Sequence, residues 1–403
     1  MQNCSLDKVY DAKNVLSAIA RKTDLIESKF LSKKNNVFLK AENLQLTGSF
    51  KLRGAYYKIS KLTDEQKVKG VIACSAGNHA QGVALGAKEN NIQSTIFIPS
   101  TAPLSKVEAT RSYGAQIRLI DGVYDDAYRE AVKFQEETGG IFIHPFNDVD
   151  VIAGQGTIAL EIFEQIPEVD AIVVPIGGGG LISGIASTIK QIKPDCKVYG
   201  VQAQNANSMF VSMNENKPTE LKSVNTFADG TAVKLPGDLT YQFCKEYVDE
   251  ILLVNEDEIA SAVLALMEKE KMVAEGSGAL SVAASMFDKI PLENKNVVCL
   301  VSGGNIDTNI LSRVINRALL KTGRISNLTI ELLDKPGQLS EVSSIIAKYG
   351  ANVIRVRHNQ GGEGTAINDC YLKISMETRD FEHFETIKNA LIERGYNITS
   401  TVQ

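Results

Sequence analysis

An α/β protein built on parallel sheets, with a ferredoxin-like βαββαβ unit at its C-terminal end, is the fold class this sequence predicts. Three observations predict it. The chain has 403 residues, which suggests two or three domains and ample room for a core. Short apolar runs alternate with helical stretches as far as residue 305, and Gly, Asn, Pro and Ser mark the turns, the βαβ signature of a parallel sheet. Near residue 324 the rhythm changes to strand, helix, strand, strand, helix, strand.

Taken in order, a helix is expected over 8–20 and a short extended run over 37–40. A helical stretch follows over 55–62. Strands at 71–74, 95–99 and 116–120 alternate with helices at 80–89, 105–113 and 124–138. After His144-Pro145 the pattern resumes with a strand at 171–175, a helix at 181–190 and a strand at 197–201. A long amphipathic helix at 257–270 and a strand at 297–301 complete this part. The C-terminal strands are expected at 328–333, 352–358, 368–376 and 397–402, with helices at 337–349 and 381–394. In the first of these helices Leu339, Val342, Ile346 and Tyr349 fall on one face at helical spacing. The boundary is placed near Lys321-Thr322-Gly323.

Composition excludes several classes. Hydrophobic residues make up 44% and charged residues 23%, so the chain reads as soluble and globular. A formal net charge of -5 with no basic run argues against a nucleic-acid partner. No apolar run approaches a membrane span, and the polar start at Met1 to Tyr10 has no signal-peptide core. Six scattered cysteines and four histidines show neither Cys-x-x-Cys nor His-x-x-x-His spacing. They read as reduced thiols of a cytoplasmic protein, and no metal site is expected.

Four segments carry chemistry. In Thr47-Gly48-Ser49-Phe50-Lys51-Leu52-Arg53-Gly54, Lys51 is a candidate Schiff-base lysine whose ammonium Phe50 and Arg53 would disfavour, by desolvation and by charge. The alternative is a surface helix start capped by Thr47 or Ser49. Gly177-Gly178-Gly179-Gly180 lies between an apolar strand and a helix, where backbone amides converge on an anion such as a phosphate. A dinucleotide fold would want a third glycine where Ile182 stands and an acidic residue where the next strand ends at Gln202. Ser75-Ala76-Gly77-Asn78-His79 follows a strand and opens a helix, a place to hold a carboxylate, with Asn78 able to reach a ring hydroxyl. His79 by itself reads more readily as structural. Ser302-Gly303-Gly304-Asn305 follows another strand, and its hydroxyl could meet a ring nitrogen.

With these motifs in this order, residues 5–320 resemble the pyridoxal-phosphate enzymes of the tryptophan-synthase-β fold type. Within them the chain is similar to the serine/threonine dehydratases, the threonine ammonia-lyases in particular. The resemblance implies a catalytic unit over 1–322 made of two parallel-sheet subdomains, the smaller inserted at roughly 69–147. It implies that Lys51 binds pyridoxal 5'-phosphate covalently and that Phe50 packs near the ring. Asn78 would contact the ring oxygen, Gly177 to Gly180 would hold the phosphate, and Ser302 would meet the pyridine nitrogen. Ser75, Asn78 and His79 would line the substrate carboxylate site, with L-threonine and L-serine as substrates. The alternatives are a serine-preferring dehydratase or β-replacement enzyme, a serine racemase, or an amino-acid sensor without catalysis. Racemases of this type carry a hydroxyl where Ala76 stands. They also bind a divalent cation through carboxylates where Gln202 and Ser208 stand, so no magnesium is expected there.

Residues 324–403 resemble an ACT domain, on Asp334-Lys335-Pro336-Gly337 and Gly350-Ala351-Asn352. The resemblance implies an allosteric role in amino-acid metabolism. Gly337, Gln338, Leu339 and Asn352 are the candidate effector contacts, and the assembly is expected to be a homodimer or homotetramer.

Overall fold

The computed structural model describes residues 4–360 and 369–402. They divide into two compact units, residues 1–311 and 312–403, and the division falls inside the helix Thr308–Lys321.

The first unit holds two sheets. Its strands are β1 (Leu25–Ser28), β2 (Asn36–Ala41), β3 (Val71–Cys74), β4 (Ser94–Pro99), β5 (Gln116–Ile120), β6 (Ile141–Phe142), β7 (Ala171–Pro175), β8 (Lys197–Ala203), β9 (Glu250–Val254) and β10 (Asn296–Val301). The larger sheet runs β1-β2-β10-β7-β8-β9, parallel except for β1, and the smaller runs β5-β4-β3-β6, all parallel. Every residue of β3, β4 and β7 is buried, as expected of parallel strands covered on both faces. Ile172 and Val174 of β7 pack with Ile182, Ile185 and Ile189 of the helix that follows, and with Ile158 and Ile162 of the helix Val149–Gln165. That 17-residue helix starts where Asp148 caps the amides of Asp150 and Val151.

The second unit contains β11 (Ile325–Leu333), β12 (Asn352–Gln360), β13 (Asp369–Glu377) and β14 (Asn397–Val402), in the order β12-β13-β11-β14 and wholly antiparallel. With the helices Gln338–Lys348 and Phe381–Glu393 this is the ferredoxin-like arrangement. One face of β11 and β13 is buried (Leu328, Ile330, Leu332, Cys370, Leu372, Ile374, Met376) against Val342, Ile346, Phe384 and Ile387 of the two helices.

Several expected bounds shift. The helix expected over 8–20 ends at Leu16, and the one expected over 55–62 begins at Lys51 itself. Of the four residues expected on one face, Val342 and Ile346 are fully buried, whereas Leu339 and Tyr349 are 46% and 37% exposed. The buried stripe is narrower than the spacing suggests because only the middle turns of that helix meet the sheet. Asn368, expected to open a strand, lies outside the described residues. Among the described residues no helix is long and apolar enough to cross a membrane.

Candidate active site

The carboxyl ends of β3, β7 and β10 each release a loop, and the Lys51 loop is tied to one of them by backbone pairing. Ser49 bridges to Gly303, the Phe50 amide donates to the Ser302 carbonyl at 3.1 Å, and the Gly304 amide donates to the Gly48 carbonyl at 2.9 Å. Lys51 therefore enters its helix at a fixed place beside Ser302. Neither Thr47 nor Ser49 caps that helix. Phe50 occupies the cap position with no side-chain bond, the Thr47 hydroxyl turns to the Ser49 carbonyl, and the Ser49 hydroxyl is buried with no partner among the described residues. The helix gives up a side-chain cap because its first turn is stitched to the Ser302 loop instead.

The Lys51 amine donates to the Pro145 carbonyl at 2.8 Å and lies 5.4 Å from the centre of the Phe50 ring. Burial pushes it down to about 8, and the Glu275 carboxylate partly offsets that fall. Arg53 has no part in this, contrary to the sequence expectation. Its guanidinium is fully engaged with Glu42 (2.8 Å) and Glu161 (2.6 Å), and Lys40 also reaches Glu161 (2.7 Å), all of them buried.

The glycine loop turns into the helix Gly180–Ile192 through Gly179 at φ +97°, a left-handed conformation that disfavours a side chain. A Cβ at Gly178 would run into the ring of Phe146, so the His144–Asn147 segment lies directly on the loop. The Thr240 hydroxyl donates to the Gly178 carbonyl at 2.6 Å and fixes it from the other side. The first amides of a helix have no partner within it, which makes this start a place where backbone N–H groups can hold an anion.

Asn78 opens the helix Asn78–Glu89. Its amide donates to Glu275 at 2.7 Å and accepts from Asn305 at 2.8 Å. Glu275 is buried, and burial raises it to about 7, with the Asp229 charge adding to the rise. The Ser75 hydroxyl accepts from the Gly77 amide. The ring of His79 is buried and its Nε2 meets the Ile143 carbonyl at 2.7 Å, the structural role that the sequence reading allowed for it. Burial and then the Lys51 charge push this ring down to about 3. His144 is likewise pushed to about 4, and its Nδ1 accepts from the amides of Phe146 and Asn147. Ser302 is buried, and among the described residues its hydroxyl has only a long 3.4 Å bond to the Ser277 carbonyl. At the position where a divalent cation would need carboxylates, the Gln202 amide donates to the Ala206 carbonyl and accepts from the Phe210 amide.

Residues 16–303 match the family of pyridoxal-phosphate dependent enzymes. The chain belongs to that family. It is 47% identical over 396 residues to an L-threonine ammonia-lyase of Thermotoga maritima, and the match covers 98% of each chain. It is similar to the solved structure of the processed form of threonine deaminase isoform 2 from Solanum lycopersicum, with a TM-score of 0.74 and 39% identity, covering 78% of this chain and 88% of that one. Maize serine racemase matches with a TM-score of 0.74 and 37% identity, covering 79% of this chain and 98% of that one.

The donor set fits the family's cofactor. The chain offers a buried lysine of lowered basicity, a glycine loop at a helix start, an orphaned Ser49 hydroxyl and a nearly unengaged Ser302 hydroxyl, the kinds of group that cofactor needs. Sequence reasoning missed Glu275, Thr240 and the His144–Asn147 segment. Glu275 leaves one trace, a lone carboxylate in a run of small residues from Val273 to Ala279. Thr240 leaves none.

Proposed function

We propose that this chain is an L-threonine ammonia-lyase that also accepts L-serine, converting threonine to 2-oxobutanoate and ammonia. The observation that carries the reading is the buried Lys51 amine, held between the Pro145 carbonyl and Phe50 at the junction of the three strand-end loops. Pyridoxal phosphate, when bound, supplies the electron sink for breaking the bond to the α-hydrogen. Gly177 to Gly180 would hold its phosphate on backbone amides. Asn78, itself oriented by Glu275 and Asn305, and Ser302 would meet its ring edge. With its amine free, Lys51 would take the α-proton, and at a lowered pKa it is suited to act as that base. The α-proton and the β-hydroxyl together leave as one water, and addition of one water to the enamine that remains gives the oxo acid and ammonia. Ser75 and the amides at the start of the Asn78 helix receive the substrate carboxylate.

Ser302 offers a neutral hydroxyl where a carboxylate would hold a charged ring nitrogen, which favours elimination over transamination. Ala76 offers no acid on the face opposite Lys51, which favours elimination over racemisation. Residues 324–403 act as an amino-acid-responsive ACT module of a homo-oligomer, with Gly337, Gln338 and Leu339 at the start of the helix Gln338–Lys348 as effector contacts. Gly337 is left-handed there, and Asn352 donates to Glu377 at the start of β12.

The test is oxo-acid production from threonine by the full chain. Lys51→Ala should abolish it, since general-base catalysis alone is worth roughly 10²–10⁴-fold. Chiral analysis of residual serine should show racemisation far slower than elimination. Near wild-type turnover by Lys51→Ala, or racemisation as fast as elimination, would overturn the reading. Adding isoleucine or valine to the same assay tests the effector role.

A further inference from the structure

Asp334, His358 and Cys370 come from three different elements of the C-terminal unit, yet one donor atom of each lies within 4.8 Å of the others. The sheet register brings this about. Leu332, Cys370 and Gln360 sit opposite one another across β11, β13 and β12, and Ile330, Leu372 and His358 form the neighbouring row. Alternate residues of a strand share a face, so His358 and Cys370 project from the same side of the sheet. Because β12 is an edge strand, the His358 ring stays open to solvent while the Cys370 thiol is fully buried. Asp334 follows the last residue of β11 and brings its carboxylate to within 3.8 Å of His358 Nε2. Gln360 of the edge strand donates to the other oxygen of that carboxylate and orients it.

We propose that Asp334, His358 and Cys370 form a binding site for a first-row divalent transition metal of the zinc class. The donor set selects the ion. A thiolate with an imidazole and a single carboxylate suits zinc, cobalt or nickel, and it is a poor set for magnesium or calcium, which want several oxygens. The geometry is near what is needed. Ligand bonds of about 2.0–2.3 Å place tetrahedral donors roughly 3.3–3.8 Å apart. The Asp334–His358 separation already meets that, and rotation of these two exposed side chains closes the rest. Three protein ligands leave a fourth position for water or a ligand carboxylate. Gln360 stands as the outer partner that holds a ligating carboxylate in place. A bound ion would pin Asp334, the head of the turn that leads to Gly337, onto β12 and β13. The ion would thereby set the conformation of a segment assigned above to effector binding. The metal site stands or falls independently of that assignment.

The experiment titrates the full-length holoenzyme, freed of metal by dialysis against a chelator, with cobalt and then zinc. The expected result is one equivalent of cobalt bound, with a sulfur-to-metal charge-transfer band in the difference spectrum against metal-free holoenzyme, displaced by zinc. Cys370→Ser should abolish the band. His358→Ala, a change at an exposed residue that leaves the core intact, should weaken binding by about tenfold or more. The proposal is overturned if the wild-type chain binds no stoichiometric cobalt. It is equally overturned if binding occurs without a thiolate band, or if His358→Ala binds as tightly as wild type.

Discussion

At the scale of the residue, the site is built by taking charge out of water. Lys51 is lowered to about 8 by burial, so at pH 7 it holds roughly 300-fold more neutral amine than a lysine at the ordinary value of 10.5. In the proposed role of Lys51 the neutral amine is the nucleophile, and its fraction rises with pH. Covalent uptake of pyridoxal phosphate by the apoprotein should therefore accelerate with pH and level off above about 8. Glu275 opposes the shift, since its carboxylate favours the ammonium. Glu275→Gln should accordingly move the midpoint to lower pH. Stopped-flow absorbance of cofactor uptake against pH measures both. A midpoint near 10, or one that moves upward in Glu275→Gln, would contradict this account. His79 and His144, held near 3 and 4, stay neutral across that range and add no titration of their own.

At the scale of the element, the Lys51 helix is positioned from behind by a buried ionic cluster. Arg53 lies two residues beyond the lysine and meets Glu42 and Glu161, while Lys40 also meets Glu161. Two positive and two negative groups balance, so the cluster is satisfied as a whole but intolerant of losing a member. Arg53→Met leaves buried Glu161 with Lys40 and buried Glu42 with the Thr23 hydroxyl, and should cost roughly 3–5 kcal/mol. Urea unfolding of the variant checks this, and a loss under about 1 kcal/mol would place the carboxylates in contact with water. This cluster also shows what a sequence hides. The Gly177, Asn78 and Ser302 loops are legible because each follows a short apolar strand and breaks it with small or polar residues, and Lys51 is legible from the residues around it. The role of Arg53 is not, because its partners lie on β2 or beside it and on the helix Val149–Gln165, far apart in the chain. That helix is itself hard to read. Its residues from Val151 to Ile162 are buried on every side, so no polar face marks a helical period. The helix Gly276–Met286, made largely of small buried residues, escapes for the same reason. The strands of the C-terminal unit are the opposite case. One side of β11 and β13 is apolar and the other polar, and their alternation shows in the sequence.

At the scale of the whole molecule, the second unit is an open sheet whose edge strands are β12 and β14. An edge strand carries unpaired backbone groups that can bond to another chain. β12 has nine residues, eight of them exposed, and among these Ile354 and Val356 are 49% and 36% exposed despite their apolar side chains. Val356 sits opposite Ile374 of β13, so it extends the apolar row of the core out to the edge. Pairing of β12 with the same strand of a second copy would satisfy its free amides and cover that row at once. The full chain should therefore sediment as a dimer or tetramer. Placing a lysine there should weaken the assembly, because a charge pointing inward from an edge strand opposes pairing. Sedimentation velocity of the full chain, of Val356→Lys and of a chain ending at Thr322 decides the matter. If the edge is the contact, both altered chains show a smaller subunit number than the full chain at equal concentration. An unchanged subunit number in both would place assembly on the first unit and leave β12 free to pair with nothing.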